Sequence, residues 1–338
     1  MSGEHFIIIG NGPAGNQAAL TLRDAAPDTP ITLISKDHEG SYRPNLLPKL
    51  IAGKIGEEDL YVSGVNAYKE RDIKLRAGQR VAAVDLEEKK VILDHKERLG
   101  YTGLILAVGG TPRIPENLLA FQDLMATLKN LQDAKNWIKK LEKVESVLII
   151  GGDLTSLGVT RALLQLEKKV YFMLNEEAFW PLRCDKEMLE EVANRLTGKG
   201  VEVLIDQRLK GVARVSETVC RVEIGESRLE VGIIGAFFGL HPDIRFLAGS
   251  GLRMDRGILV DPYLYTGFDG VYATGDCAQI YHPALKDYWV SIGHDNAREL
   301  GKIAAMNLAG GKVKAEVGGK SIFEEEGIRV NTSWWMEF

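Results

Sequence analysis

A chain of 338 residues, 45% hydrophobic and 26% charged, is too long for one small core and has the composition of an ordinary soluble globular protein with two compact domains. Its net charge of −5, without a Lys/Arg-rich run, gives no footprint for nucleic acid or an anionic lipid surface. No apolar segment approaches the roughly 20 residues that span a bilayer, and the apolar run Phe6-Ile7-Ile8-Ile9 stops at once in Gly10, unlike a signal peptide.

His5 to Ile9 reads as a short strand, Gly10-Asn11-Gly12-Pro13-Ala14-Gly15 as a tight turn, and the residues through Leu22 as a helix. Ile31-Thr32-Leu33-Ile34 then completes a strand–helix–strand unit of about 30 residues. Strands are expected near Val81–Asp85, Val91–Leu93 and Leu104–Val108, before Gly109-Gly110-Thr111-Pro112 breaks the pattern. Helical spacing runs from Leu124 to Leu141. Val147–Ile150, the turn Gly151-Gly152-Asp153, a helix over Leu157–Leu166 and a strand over Val170–Leu174 repeat the first unit. Further on, Lys186–Thr197 is expected as a helix, and Val201–Ile205 and Val231–Phe238 as strands. The run from Gly270 to Asp276 is expected as a strand ending in a turn, and Val290 to Leu308 as a long helix.

The first turn has a chemical purpose. In a G-x-G-x-x-G turn, Gly10 permits the bend, Gly12 lets the backbone approach a pyrophosphate, and Gly15 lets the helix pack close to the strand. Pro13 and Ala14 open that helix, whose N-terminus offers N–H donors and partial positive charge to the phosphates. At the end of the second strand, where an acidic residue usually holds a ribose, stands Ser35-Lys36-Asp37. Ser35 can hydrogen-bond a ribose and Lys36 suits a 2′-phosphate, so these local residues leave FAD and NADP both open.

Distant segments carry a resemblance. Tyr272-Ala273-Thr274-Gly275-Asp276-Cys277-Ala278 resembles the A-x-G-D motif of two-dinucleotide flavoproteins, in which the aspartate, here Asp276 after Gly275, contacts the ribityl chain of FAD. Tyr101 to Gly109 resembles the family segment Y-x-x-L-I-L-A-T-G, with Val108 where threonine is usual, which implies that Ala107, Val108 and Gly109 line the cofactor. Tyr42-Arg43-Pro44-Asn45-Leu46-Leu47-Pro48 resembles the Y-x-R-P-x-L stretch of rubredoxin reductases and of the flavin part of nitrite reductases. That stretch sits beside the isoalloxazine, so Arg43 and Pro44 are assigned there, and Arg80 with Val81 to the same cofactor. Trp289 to Gly301, with Asn296-Ala297, is similar to the helix whose N-terminus points at the flavin pyrimidine carbonyl, where its dipole stabilises the anionic reduced flavin.

In family order these matches run from residue 5 to residue 310. The chain thus resembles the FAD-dependent pyridine nucleotide-disulfide oxidoreductase superfamily, in its rubredoxin reductase and nitrite reductase branch. The resemblance implies an α/β fold of two Rossmann-like domains, the second inserted into the first. Residues 1–112 with 244–310 would bind FAD, residues 113–243 would form the NAD(P)H-binding domain, and 311–338 would be a short C-terminal interface segment. It also implies NADH or NADPH as electron donor, an iron–sulfur carrier protein (ferredoxin- or rubredoxin-like) or a partner subunit as electron partner, and a homodimer.

Some family features are missing. The Tyr42–Pro48 stretch, where several subfamilies carry a redox-active cysteine, has none, so disulfide chemistry is not expected. The three cysteines, Cys184, Cys220 and Cys277, are widely spaced and form neither a C-x-x-C pair nor a zinc set, which suits a reducing cytoplasm and no metal. Cys277 is read as a packed turn residue, and Cys184 and Cys220 as buried small apolar residues. No acid–base pair stands out: the flavin carries the chemistry, and His282, His294 and Asp295 flank its helix, either as donors to the flavin or substrate or as cap and surface residues. Trp334-Trp335 covers either a core edge or a partner surface.

The second turn departs from the motif. Gly151 and Gly152 hold its first positions, but Asp153 replaces the second motif glycine and Ser156 the third. Leu154 follows, and the next strand ends in Leu174-Asn175-Glu176, where Glu176 rather than an arginine favours NADH. A carboxylate about 5 Å from a phosphate costs up to ~3 kcal/mol at an effective dielectric of about 20, or roughly a hundredfold in affinity. Asp153 either faces the pyrophosphate or caps the helix by accepting N–H bonds. Two functions follow: an NAD(P)H-oxidising flavoenzyme serving a small carrier protein, or a flavin electron-transfer subunit that has lost its nicotinamide site. A non-catalytic flavin-binding scaffold is a weaker third, given the intact flavin segments.

Overall fold

The computed structural model describes residues 3–174, 186–283, 286–290, 293–315, 322–325 and 328–331. It divides into two compact units, one of Met1–Arg43, Tyr61–Thr111 and His241–Lys320, the other of Pro44–Leu60, Pro112–Leu240 and Ser321–Phe338. The elements that place the candidate sites begin with β1 (Phe6–Ile9), α1 (Pro13–Ala25), β2 (Ile31–Ile34), β3 (Ile73–Arg76) and β4 (Gly103–Leu106). Next come β5 (Met125–Ala126), α2 (Leu131–Leu141), β6 (Ser146–Gly151), α3 (Leu154–Gln165) and β7 (Lys169–Leu174). The set ends with β8 (Glu202–Ile205), β9 (Ile233–Phe237), β10 (Val271–Ala273) and α4 (His294–Leu308).

In the first unit the strands form one parallel sheet in the order β10-β4-β1-β2-β3. Its central strands are apolar without alternation because both faces are covered: Ile7, Ile8, Leu33, Leu104, Ile105 and Leu106 are all buried. On one face α1 and α4 pack closely. Gly301 makes this possible, since a Cβ there would lie 2.9 Å from the Ala14 Cα.

The second unit repeats the plan, with a parallel sheet in the order β5-β9-β6-β7-β8. Against it lies an antiparallel meander of Leu209–Arg214, Cys220–Ile224 and Ser227–Val231, which closes a core of Leu148, Ile150, Val222 and Ile234. Cys220 is buried in that core. Residues Pro44–Leu60 cluster with this unit although they precede most of it in sequence.

Two helices begin later than the sequence periodicity suggests. α2 starts at Leu131, not Leu124, because Asn130 and Asp133 form a capping box: the Asp133 N–H donates to Asn130 Oδ1 at 2.8 Å, and the Asn130 N–H to Asp133 Oδ2 at 3.2 Å. Met125–Ala126 is instead a strand paired with β9. α4 starts at His294, not Val290, because Asp287–Val290 pairs antiparallel with Ala278–His282, placing Trp289 opposite Ile280. Gly293, at φ 100°, turns the chain into the helix. Among the described residues no helix is long and apolar enough to cross a membrane.

Candidate dinucleotide sites

In the first unit the glycine turn between β1 and α1 is held by the protein at two of its three glycines. Gly10 has φ 107°, and a Cβ there would lie 2.7 Å from the Ala107 carbonyl carbon and collide with its oxygen. A Cβ on Gly15 would lie 2.9 Å from the Gly10 carbonyl carbon. Gly12 is different. Its backbone is extended, at φ −75° and ψ −172°, and no atom lies within 4 Å of where a Cβ would be. Neither the backbone nor packing asks for glycine at this position, and it forms the N-cap of α1 without any side-chain cap.

Four segments meet at the same end of the sheet. The Gly10 N–H donates to the Ile34 carbonyl at 2.8 Å, the Ala107 N–H to Ile9 at 2.8 Å, and the Thr274 N–H to Leu106 at 2.9 Å. Gly275, at φ 71°, lies where a Cβ would be 3.0 Å from the Ala14 Cβ and 3.9 Å from the Ala297 Cβ. Pro13, Ala14, Gly275, the half-buried Asp276, Asn296 and Ala297 therefore stand around the start of α1. The polar end of the Asn11 amide that faces away from Tyr68 and the Thr274 hydroxyl are buried there with no hydrogen-bond partner among the described residues. Orphaned polar groups beside an open turn fit a polar ligand such as a dinucleotide.

Ser35 and Lys36 lie beyond β2. The Gln79 N–H donates to the Ser35 carbonyl at 2.8 Å and the Asp37 N–H to the Ser35 hydroxyl at 3.1 Å. An open cavity of about 460 Å³ is lined there by Lys36, Asp37, Gly78, Gln79, Arg80, Asp94 and His95. Lys36 is engaged by Asp243 at 3.0 Å. Arg80 is exposed at the cavity, and Val81 is buried in the strand that follows. Of the remaining candidates, Val108 and Gly109 follow Ala107, Gly109 at φ 62°. Arg43 is exposed after the strand Ser41–Tyr42, and Pro44 belongs to the second unit.

Sequence reasoning missed Tyr68. Its buried hydroxyl lies 2.7 Å from both Asn11 Oδ1 and Asn16 Oδ1, and burial pushes its pKa up to about 12. One hydroxyl proton cannot serve two oxygens, so one of these contacts is made with an amide turned the other way. The only signal in the sequence was an asparagine inside the glycine turn.

The second unit's turn has the same frame. Gly151 (φ 94°) would place a Cβ 2.6 Å from the Phe237 carbonyl carbon, and Gly152 has φ 143°. Asp153 then takes the N-cap position of α3 that Gly12 takes in α1, at φ −107° and ψ 178°. Its carboxylate accepts the Ser156 N–H at 2.9 Å and the Gly239 N–H at 3.3 Å. The Ser156 hydroxyl donates to the Asp153 carbonyl at 2.6 Å. Burial raises the Asp153 pKa, while the backbone N–H bonds, that of Ser156 foremost, pull it back. Of the two orientations left open, the carboxylate takes the capping one. Leu154 opens the helix; Glu176 lies outside the described residues, as do Cys184, Trp334 and Trp335.

A family model, "Pyridine nucleotide-disulphide oxidoreductase", matches residues 4–298. The chain belongs to this family. Among curated relatives it is similar to the "Nitric oxide reductase FlRd-NAD(+) reductase" of Salmonella agona (strain SL483), 28% identical over 81% of this chain and 72% of the relative. It is similar also to a putidaredoxin reductase of Pseudomonas putida, 28% identical over 91% of this chain and 74% of that one. Among solved structures it shares the fold of a ferredoxin reductase for the CYP199A2 system of Rhodopseudomonas palustris, with a TM-score of 0.84 at 22% identity, covering 93% of this chain and 78% of that one.

In this member of the pyridine nucleotide-disulphide oxidoreductases, the Tyr42–Pro48 stretch carries no cysteine. Cys277 is buried, with its sulfur 3.2 Å from the Thr274 carbonyl and 3.4 Å from that of Leu106, and burial pushes its thiol up to about 11. A thiol so placed is inert at neutral pH. His294 opens α4 and contacts Asp295 at 3.2 Å, and His282 ends a strand.

Proposed function

We propose that the chain is a FAD-dependent oxidoreductase moving electrons between NAD(P)H and a small electron-carrier protein of the ferredoxin or rubredoxin kind. The observation that carries the reading is Gly12, a glycine that the chain itself does not need, at the uncapped start of α1. Such a position suits a phosphate that approaches the backbone. Family membership supports the reading, as do the names of the similar proteins, which are reductases of protein carriers.

On this reading residues 1–112 with 244–310 hold FAD, and 113–243 the nicotinamide nucleotide. Gly10 to Gly15 take the pyrophosphate, and Ser35, Lys36, Arg80 and Val81 the adenosine. Gly275 and Asp276 orient the ribityl chain, and Arg43, Ala107, Val108, Gly109, Asn296 and Ala297 surround the ring. FAD held by these residues would supply the redox chemistry that links a two-electron nicotinamide donor to a one-electron carrier. These residues bind and orient it, and none of them is assigned as an acid or base. Gly151, Gly152, Asp153, Leu154 and Glu176 are assigned to NAD(P)H, with NADH ahead because the sequence carries Glu176 rather than an arginine just after the strand Lys169–Leu174. A reducing cytoplasm is the proposed setting, supported by Cys220 and Cys277 being free and buried. A homodimer through residues 311–338 is proposed by family likeness alone.

A second reading, a flavin electron-transfer subunit working only between protein partners, draws on the Asp153 cap. An anaerobic titration separates the two. Bleaching of the flavin by NADH or NADPH is expected; bleaching by a reduced ferredoxin or rubredoxin, but by neither nucleotide, supports the second reading instead.

A further inference from the structure

The two nucleotide turns of this chain form an internal comparison. Each opens on a left-handed glycine held against a neighbouring strand's carbonyl, Gly10 against Ala107 and Gly151 against Phe237. Each then reaches an extended N-cap residue before its helix. They part at that residue. Gly12 leaves the start of α1 open, whereas Asp153 lays a carboxylate across the start of α3, bridging the N–H groups of Ser156 and Gly239. The Ser156 hydroxyl, bonded to the Asp153 carbonyl, fixes the residue that carries the carboxylate. The donors at the positive helix end that a nucleotide phosphate would use are already engaged by the Asp153 side chain.

We infer that Asp153 is a built-in occupant of the phosphate end of α3, which a nicotinamide nucleotide must displace in order to bind. This rests on the reading that residues 113–243 receive NAD(P)H. Asp153 then sets nucleotide affinity without entering the electron-transfer step. A nucleotide phosphate and the Asp153 side chain compete for the same donors, so the side chain gives up both N–H bonds each time a nucleotide enters. From the charge term alone, its removal is worth up to about a hundredfold in affinity.

The test uses the FAD-loaded full chain with Asp153→Asn, which keeps the side chain's shape and an acceptor oxygen but removes the charge, and Asp153→Gly, which reopens the turn. ADP-ribose binding is measured by calorimetry, independent of any flavin reduction. NADH and NADPH are measured by anaerobic rapid mixing, in which the concentration dependence gives the Kd and the plateau gives the reduction rate. Both variants are expected to bind ADP-ribose and NADH between tenfold and a hundredfold more tightly. The melting temperature should fall in Asp153→Gly and hold in Asp153→Asn, which separates loss of the cap from loss of charge. Tighter ADP-ribose binding without flavin reduction by either nucleotide would sustain the role of Asp153 and discard the NAD(P)H activity. Flavin reduction with the same Kd in wild type and both variants would sustain the activity and overturn the role of Asp153. The role is equally overturned if neither wild type nor variants bind ADP-ribose.

Discussion

Substituting the glycines of the first turn one at a time separates those that the fold needs from the one that a ligand needs. Gly10→Ala puts a Cβ at φ 107° and 2.7 Å from the Ala107 carbonyl carbon. Left-handed strain costs about 1–3 kcal/mol and overpacking about as much again, so the FAD-free protein should lose at least about 2 kcal/mol. Gly12→Ala meets nothing within 4 Å and keeps an ordinary extended backbone. Replacing an N-cap glycine by alanine costs no more than about 1 kcal/mol, a fall of about 2–4 °C in melting temperature for a domain of this size class. Its methyl group nevertheless stands on the open face, where a phosphate would lose charge-assisted N–H bonds worth about 1.5–3 kcal/mol. FAD affinity should therefore drop roughly tenfold to a hundredfold. Melting of the flavin-stripped protein by circular dichroism, and FAD titration by fluorescence quenching, read the two effects separately. Wild-type FAD affinity in Gly12→Ala, or destabilisation of the stripped protein equal to that of Gly10→Ala, would refute the assignment of this face to the phosphates.

Asp276→Ala should lower the flavin content of the purified protein, as read from the ratio of flavin to protein absorbance; full occupancy removes Asp276 from the site. Thiol alkylation should leave flavin turnover largely intact, since the buried Cys277 thiol is pushed up to about 11; rapid inactivation at one equivalent of reagent would make a cysteine catalytic. The Glu97 carboxylate, held first by Arg76 at 2.6 and 2.8 Å and then by His95 at 2.9 Å, is lowered from 4.5 to about 2. Because its folded pKa lies below the unfolded one, its stabilisation is complete above pH 4.5 and is lost as pH falls toward 2. Glu97→Gln should flatten the acid limb of melting temperature against pH in that window, and an equally steep limb in the variant would rule out this pair as its source.

What the sequence made legible was local in its cause. The Gly10 and Gly15 constraints arise within one strand–turn–helix, so the turn could be read without the fold. The capping box that starts α2 is also written locally, in Asn130 and Asp133. There the apolar spacing that begins at Leu124 outweighed it. Trp289 and Val290 looked helical because strand and helix share short apolar runs, and only their pairing with Ile280 and Gln279 decides for a strand. Tyr68 reaches Asn11 across 57 positions of sequence, beyond any periodic signal. The orientation of Asp153 was hidden for the same reason. One of its N–H partners, Gly239, lies 86 positions away, so whether the carboxylate faced outward or capped the helix had no local answer.

Both turns face one physical problem, the N–H groups that every helix start leaves without a partner in its own helix. α3 meets part of that need internally through Asp153, whose carboxyl group accepts the Ser156 N–H. α1 has no such side chain, and one polar end of the Asn11 amide and the Thr274 hydroxyl nearby are buried without partners among the described residues. A ligand rich in phosphate and hydroxyl oxygens completes this set, and binding only the folded state stabilises it by about 4 kcal/mol at a thousandfold excess over Kd. An incomplete turn therefore favours an occupant that stays, because its departure exposes unpaired polar groups. A self-capped turn favours an occupant that comes and goes, because the cap re-forms when it leaves. On the proposed reading FAD remains through every cycle and the nicotinamide nucleotide leaves in each one, and Gly12 and Asp153 divide those two tasks between otherwise similar turns.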